Sequence, residues 1–290
     1  MFDKIVVATD LSPASDQVLG CLHGLKPLGA REVVLTHALG IRHLEELQCV
    51  LAPQVEPGLL QQKSFLEAQG FQVTIQIEPG LPAIEIDQVA RKNNASLIVL
   101  GSHGATLSRE ILLGSVATEV LHHSRHPVLV VRPKIDDSGV QVRCEQICTD
   151  FFRHILFITD FSETAEHAFA YIEKIVQSGG KHVTMLHVQD RAQIEPHLKD
   201  RLEEFNRIDR SRLERMMSRL KELGATEVGI ELLYGLPKQE IVRHADKGDY
   251  TLIVMGTHGR GFYGNLFMGS IAYHVVRNSA LPTLLIPPIR

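Results

Sequence analysis

The feature that most limits what this chain can fold into is that it says the same thing twice. The run Lys4–Asp10 (KIVVATD) lines up with His154–Asp160 (HILFITD), and Val33–His37 with Val183–His187, both at an offset of 150. Gly80–Pro82 then matches Gly235–Pro237, Leu97–Gly104 (LIVLGSHG) matches Leu252–Gly259 (LIVMGTHG), and Pro127–Val131 matches Pro282–Ile286, now at an offset of 155. Five anchors in one order mark two copies of one domain. The second copy carries five extra residues between its second strand and the Gly-Leu-Pro turn, where they are expected to lengthen a helix. The 290 residues suit two domains of ordinary size. The turn-rich stretch after Asp136 places the join: residues 1–134 form one domain, 135–152 a linker and 153–290 the second.

Within the first copy the runs Ile5–Thr9, Val33–His37, Val73–Ile77, Leu97–Leu100 and Val128–Val131 are apolar on both faces, as strands of a parallel sheet covered on two sides are. Helical patterns lie between them. Ser12 before Pro13 reads as an N-cap with proline in the first turn, and Ser162 repeats the cap. In the second copy Leu198, Leu202, Phe205, Met216, Leu220 and Leu223 recur at helical spacing, which predicts one long amphipathic helix. The fold class is α/β: two tandem doubly wound domains, each a five-stranded parallel sheet with helices on both faces and a ligand crevice at the carboxyl ends of the strands.

That edge collects the residues with chemistry. Gly101-Ser102-His103-Gly104 and Gly256-Thr257-His258-Gly259 follow the fourth strand of each copy. After nine intervening residues, Gly114-Ser115-Val116 and Gly269-Ser270-Ile271 open a helical segment. Glycines let main-chain N–H groups approach an anion, or take positive φ, and a helix start offers unpaired donors. The constellation reads as a phosphate cradle, with the hydroxyls of Ser115 and Ser270 placed to donate. Thr9-Asp10 and Thr159-Asp160 end the first strand; the aspartates there accept from ribose hydroxyls or help hold Mg beside phosphates, or else cap the next helix. Ala38 and Val188, after the second strand, stand where a base edge meets the main chain, whereas His37 and His187 are read as polar groups at strand ends. His103 and His258 position phosphate or orient the loop. Arg109 and Arg260 are candidate phosphate contacts or plain surface charges.

Several classes are excluded by what is missing. The net charge of −4, from 34 acidic and 30 basic residues without a basic run, argues against a nucleic-acid surface. No apolar stretch reaches the roughly eighteen residues needed to cross a membrane, and Met1–Val7 reads as a strand rather than a leader. There is no Gly-x-Gly-x-x-Gly after the first strand, no Walker A loop, no His-Glu-x-x-His and no Ser/His/Asp set. Cys21, Cys49, Cys144 and Cys148 show no paired spacing and read as reduced thiols, with a redox pair at Cys144 and Cys148 as the alternative.

On these motifs the chain resembles the universal stress protein family in its tandem form, over about 2–133 and 152–288. The resemblance implies a cytoplasmic stress-response protein that binds ATP or AMP, often with Mg. Asp10, Asp160, Ala38 and Val188 would contact the nucleoside, and the glycine loops and Gly-Ser turns the phosphates. It also implies that the last strands pair within one chain, as an internal pseudo-dimer, with a homodimer also open. Two departures stand out: Ala38 is smaller than the family's valine, and Thr106 replaces the glycine found at Gly261. A nucleotide-sensing regulator is the leading expectation. A slow ATPase or nucleotidyl-transfer enzyme and a nucleotide-free interaction module are the alternatives.

Overall fold

The computed structural model describes residues 1–40, 45–103, 113–132, 150–195, 197–259 and 268–289. The chain divides into two units, Met1–Asp150 and Phe151–Arg290.

In the first unit the strands are β1 (Lys4–Ala8), β2 (Glu32–Ala38), β3 (Gln72–Glu78), β4 (Leu97–Gly101) and β5 (Val128–Val131). They lie in the order β3-β2-β1-β4-β5, every described pair parallel. Ile5, Val6 and Val7 are fully buried, because helices cover both faces of the sheet. Those helices are α1 (Pro13–Cys21), α2 (Glu45–Ala68), α3 (Pro82–Lys92) and α4 (Ser115–His123).

The second unit repeats the plan with β6 (Ile155–Ile158), β7 (His182–Asp190), β8 (Glu227–Gly235), β9 (Leu252–Gly256) and β10 (Thr283–Ile286). Their order is β8-β7-β6-β9-β10, again parallel. Its helices are α5 (Glu163–Gln177), α6 (Leu202–Glu222), α7 (Pro237–Lys247) and α8 (Ser270–Asn278). The expected α/β class, with two tandem Rossmann-like domains, is therefore present.

Local chemistry places the helix starts as expected. Ser12 accepts from Ser15 N to cap α1, with Pro13 in the first turn, and Ser162 accepts from Ala165 N to cap α5. The extra residues of the second unit do not lengthen its helix. Buried Leu59 and Leu66 of α2 correspond to Leu213 and Leu220 of α6, and Gly70 to Gly224, each at an offset of 154. Most of the insertion thus falls between β7 and α6, as a helical turn (Arg191–Ile194) and a tight turn (Lys199–Arg201). Leu198 precedes α6 rather than belonging to it. Helical spacing in the sequence runs through such turns unbroken, so it does not locate them.

One cysteine expectation is corrected: Cys21 is disulfide-bonded and fully buried. Cys49 is a free, exposed thiol. Cys144 and Cys148 lie outside the described residues.

Candidate functional site

In each unit the first strand is hydrogen-bonded to the second on one side and to the fourth on the other, so strand order reverses there and a crevice opens at the carboxyl ends. The second strand outruns the first. Thr9 N donates to Thr36 O at 2.9 Å, and Thr159 N to Leu186 O at 3.0 Å. The next rung is not made by main chain: Nδ1 of His37 donates to Thr9 O, and Nδ1 of His187 to Thr159 O, each at 2.8 Å. A carbonyl only accepts, so Nδ1 carries the proton. Main-chain groups alternate sides along a strand. Those of Ala38 and Val188 therefore face the edge that the first strand has vacated. The histidines are strand-end polar groups, as expected, and they keep that edge open.

Immediately beyond Asp10 and Asp160 the backbone takes a conformation that L-residues rarely adopt, with φ of 61° at Leu11 and 58° at Phe161. Thr9 Oγ1 accepts from Leu11 N and Thr159 Oγ1 from Phe161 N, while each aspartate accepts from the serine N two residues on. Backbone held this way by its surroundings gathers at ligand sites. The helices are capped by Ser12 and Ser162, so helix capping is not the aspartates' role. The copies then diverge. Asp10 Oδ1 also takes the hydroxyls of Ser12 (2.5 Å) and Ser15 (2.6 Å). In the second unit Ala165 replaces Ser15, and the Ser162 hydroxyl donates to His258 O at 3.5 Å.

The glycine loop is tied at both ends. Ser102 N donates to Val131 O and Gly114 N to Ser102 O; Thr257 N donates to Ile286 O and Gly269 N to Thr257 O. These bonds bring the starts of α4 and α8 to the crevice. Both helices have glycine N-caps, Gly114 and Gly269, and no side-chain cap bond. Ser115 and Ser270 are thus the first helical residues rather than caps. With Val116 and Ile271 they present first-turn N–H groups at the positive end of a helix. Positive φ is not what the described glycines supply: Gly101, Gly114, Gly256, Gly259 and Gly269 are absent from that region. Close approach is. A Cβ on Gly259 would stand 2.6 Å from Asp160 Oδ2, and one on Gly269 3.1 Å from Thr257 O.

Ser102 Oγ pairs with His103 Nδ1 at 2.8 Å and Thr257 Oγ1 with His258 Nδ1 at 2.7 Å, so these histidines are tied to their own loops. His103 Nε2 is buried without a partner. Burial, and then the charge of Arg132, push its imidazole pKa down. Arg132 was not foreseen. It follows β5 where the second unit has Pro287, and burial lowers its guanidinium to about 10. Gly104, Thr106, Arg109, Arg260 and Gly261 lie outside the described residues.

In the second unit the crevice is a cavity of about 860 Å³. Small-molecule sites commonly span about 300–1,000 Å³. Asp160, Val188, Gly259 and Ser270 line one part of it, and Ile194, Leu198, Phe205 and Ile208 another. Thr159, Gly256, Thr257, His258, Gly269 and Ile271, the other described members of the expected set, are also on its wall. Among the described residues no group of three or more His, Cys, Asp or Glu side chains could hold a metal ion by itself, and no helix is long and apolar enough to cross a membrane.

A doubly wound sheet with this crevice, built twice in one chain, defines a class, and comparison with known proteins identifies it. The model of the universal stress protein family matches residues 1–132 and 151–287. The chain is 32% identical over 157 residues to universal stress protein MJ0577 of Methanocaldococcus jannaschii, spanning 46% of this chain and 97% of that protein. It is 24% identical over 217 residues to a universal stress protein of Mycolicibacterium smegmatis, spanning 74% and 70%. A crystal structure of a universal stress protein from Archaeoglobus fulgidus superposes over 98% of this chain and 96% of that one, with a TM-score of 0.72 at 24% identity. The chain belongs to the universal stress protein family, with two of its domains in tandem.

Proposed function

We propose that this protein binds an adenine nucleotide, ATP or AMP, in both of its domains (1–134 and 153–290, joined by 135–152), and acts as a cytoplasmic nucleotide-sensing regulator in a stress response. The observation that carries the reading is the start of α8. An uncapped helix N-terminus, a glycine whose Cβ would stand 2.6 Å from Asp160 Oδ2, and the Asp160 carboxylate meet on the wall of one cavity. Such a helix start suits phosphates, and backbone donors suit them without bringing the acid–base machinery of an enzyme. The open main-chain edge of Val188 offers a donor and an acceptor to a base. Asp160 and Thr159 lie between the two, where a ribose would sit. Where Mg accompanies the phosphates, Asp160, and Asp10 in the first domain, supply a single carboxylate to an ion held mainly by phosphate and water. The first domain offers the same order of groups, through Thr9, Asp10, Ala38, Gly101–His103 and Gly114–Val116.

The test is mass analysis of small molecules released by denaturing the freshly purified protein. Adenine nucleotide is expected from the parent, with less from Gly114→Val and less from Gly269→Val. Release of none from the parent, together with no ATP or AMP binding by calorimetry, would overturn the reading.

A further inference from the structure

The two domains differ at three aligned positions beside the open strand edge. Gln189, Asp209 and Arg212 line the cavity of the second unit. Matching the copies through His37/His187 and through Leu59/Leu213 puts Leu39, Val55 and Gly58 in their places in the first. Packing supports the match. Leu11 lies against Gly58, with Cδ2 3.2 Å from where a Cβ would be, and the Arg212 guanidinium lies 5.2 Å over the ring of Phe161.

Asp209 sits on a helix rich in charge, yet it is 9% exposed. Gln189 Nε2 donates to Asp209 Oδ2 at 2.9 Å, with His187 Nε2 at 3.6 Å from the same oxygen and Arg212 Nη1 at 3.7 Å from Oδ1. The carboxylate fixes which way the amide faces, because turning it over would set one acceptor against another. Gln189 Oε1 is thereby left buried without a donor, on a side chain 3% exposed. Buried polar atoms without partners are rare in folded proteins and ask for an explanation.

Val188, the preceding residue, supplies one. Its main-chain N–H and C=O can pair with an amino-purine edge or, shifted slightly, with an oxo-purine edge, so the backbone alone discriminates weakly. Gln189 Oε1 cannot adapt in that way. An exocyclic amino group has a second hydrogen to give it, whereas an oxo group would oppose oxygen to oxygen. Resting on the nucleotide reading above, we propose that Gln189, oriented by Asp209, is a specificity-determining residue. It makes the second domain select purines with an exocyclic amino group over their oxo counterparts. The first domain, with Leu39 and Val55, makes little distinction.

The experiment is calorimetry on the full-length protein with ATP and with ITP, which replaces the amino group by an oxo group. Each domain is read in turn by blocking the other cradle with Gly114→Val or Gly269→Val. The ATP-to-ITP affinity ratio is expected to be about tenfold higher in Gly114→Val than in Gly269→Val. Adding Gln189→Met to Gly114→Val should bring the ratio down to that of the first domain, mainly through weaker ATP binding. Gln189→Leu, the first domain's residue, should do the same, and a ratio is insensitive to a modest loss of folded protein. An unchanged ratio in both variants overturns the assignment of Gln189 while leaving nucleotide binding intact. Failure of Gly114→Val and the parent alike to bind either nucleotide overturns the functional reading itself.

Discussion

Gly259 faces Asp160 so closely that a Cβ on the glycine would stand 2.6 Å from the carboxylate oxygen Oδ2. The end of the first strand and the loop after the fourth therefore meet in the second unit so closely that a side chain on Gly259 would displace the carboxylate. This contact joins the two halves of the candidate site, the nucleoside end and the phosphate end. Gly259→Ala should push Asp160 aside and lower nucleotide affinity in the second domain by about tenfold or more. Far-ultraviolet circular dichroism should be unchanged. Titration of Gly259→Ala in the Gly114→Val background checks it.

The two aspartates should respond differently to removal. Asp10 Oδ1 receives Ser12 N and the hydroxyls of Ser12 and Ser15, so Asp10→Ala strips three bonds from the turn. A loss of about 1–3 kcal/mol of first-domain stability is expected, since hydrogen bonds to a charged group are the stronger kind. In the second unit Ala165 stands in place of Ser15 and the Ser162 hydroxyl donates to His258 O, and Asp160→Ala should weaken nucleotide binding more than it lowers stability. Urea unfolding and calorimetry of both variants separate the two effects.

The serine caps offer a similar contrast. Ser162→Ala removes the cap bond to Ala165 N and a long, 3.5 Å bond to His258 O, and should cost about 1 kcal/mol. Ser12→Ala removes the cap on α1 and the 2.5 Å bond that Ser12 Oγ donates to the Asp10 carboxylate, a charged acceptor, so it should cost more. Urea midpoints of the two variants give the order.

A pH effect should arise at the amino end of the second sheet. His154, 7% exposed, bonds Asp249 Oδ1 through Nδ1 (2.7 Å) and Thr184 Oγ1 through Nε2 (2.9 Å), with the His182 ring stacked 3.4 Å away. Burial lowers its pKa, and the hydrogen bond to Asp249 only partly opposes this. A histidine with a depressed folded pKa adds stability that is complete above its unfolded value of about 6.5 and is lost as pH falls through the folded one. The thermal midpoint should therefore drop between pH 7 and pH 5, and by less in His154→Asn. Equal slopes for the two proteins would exclude His154 as the cause.

Much of this was legible in the sequence because the sheet is buried on both faces, which turns its strands into apolar runs such as Ile155–Ile158. Duplication did the rest, since a glycine loop built twice at matched spacing is hard to read as an ordinary turn. What escaped reading depends on tertiary context. Nothing in Asp-Leu-Ser or Asp-Phe-Ser announces the positive φ of Leu11 and Phe161; the threonine hydroxyl before and the carboxylate between impose it. Asp209, among the charges of α6, looks like a solvated residue until β7 places Gln189 and His187 beneath it. The insertion was expected to lengthen the helix because the turns before α6 keep its apolar rhythm, and Cys21 gave no local sign of its disulfide.

The most direct measurement is a crystal structure of the protein with ATP or AMP bound. Phosphate oxygens should accept from the N–H groups of Ser270 and Ile271 beside Gly259, with the base against the main chain of Val188. Nucleotide bound elsewhere, or both crevices empty at saturating concentration, would contradict the account.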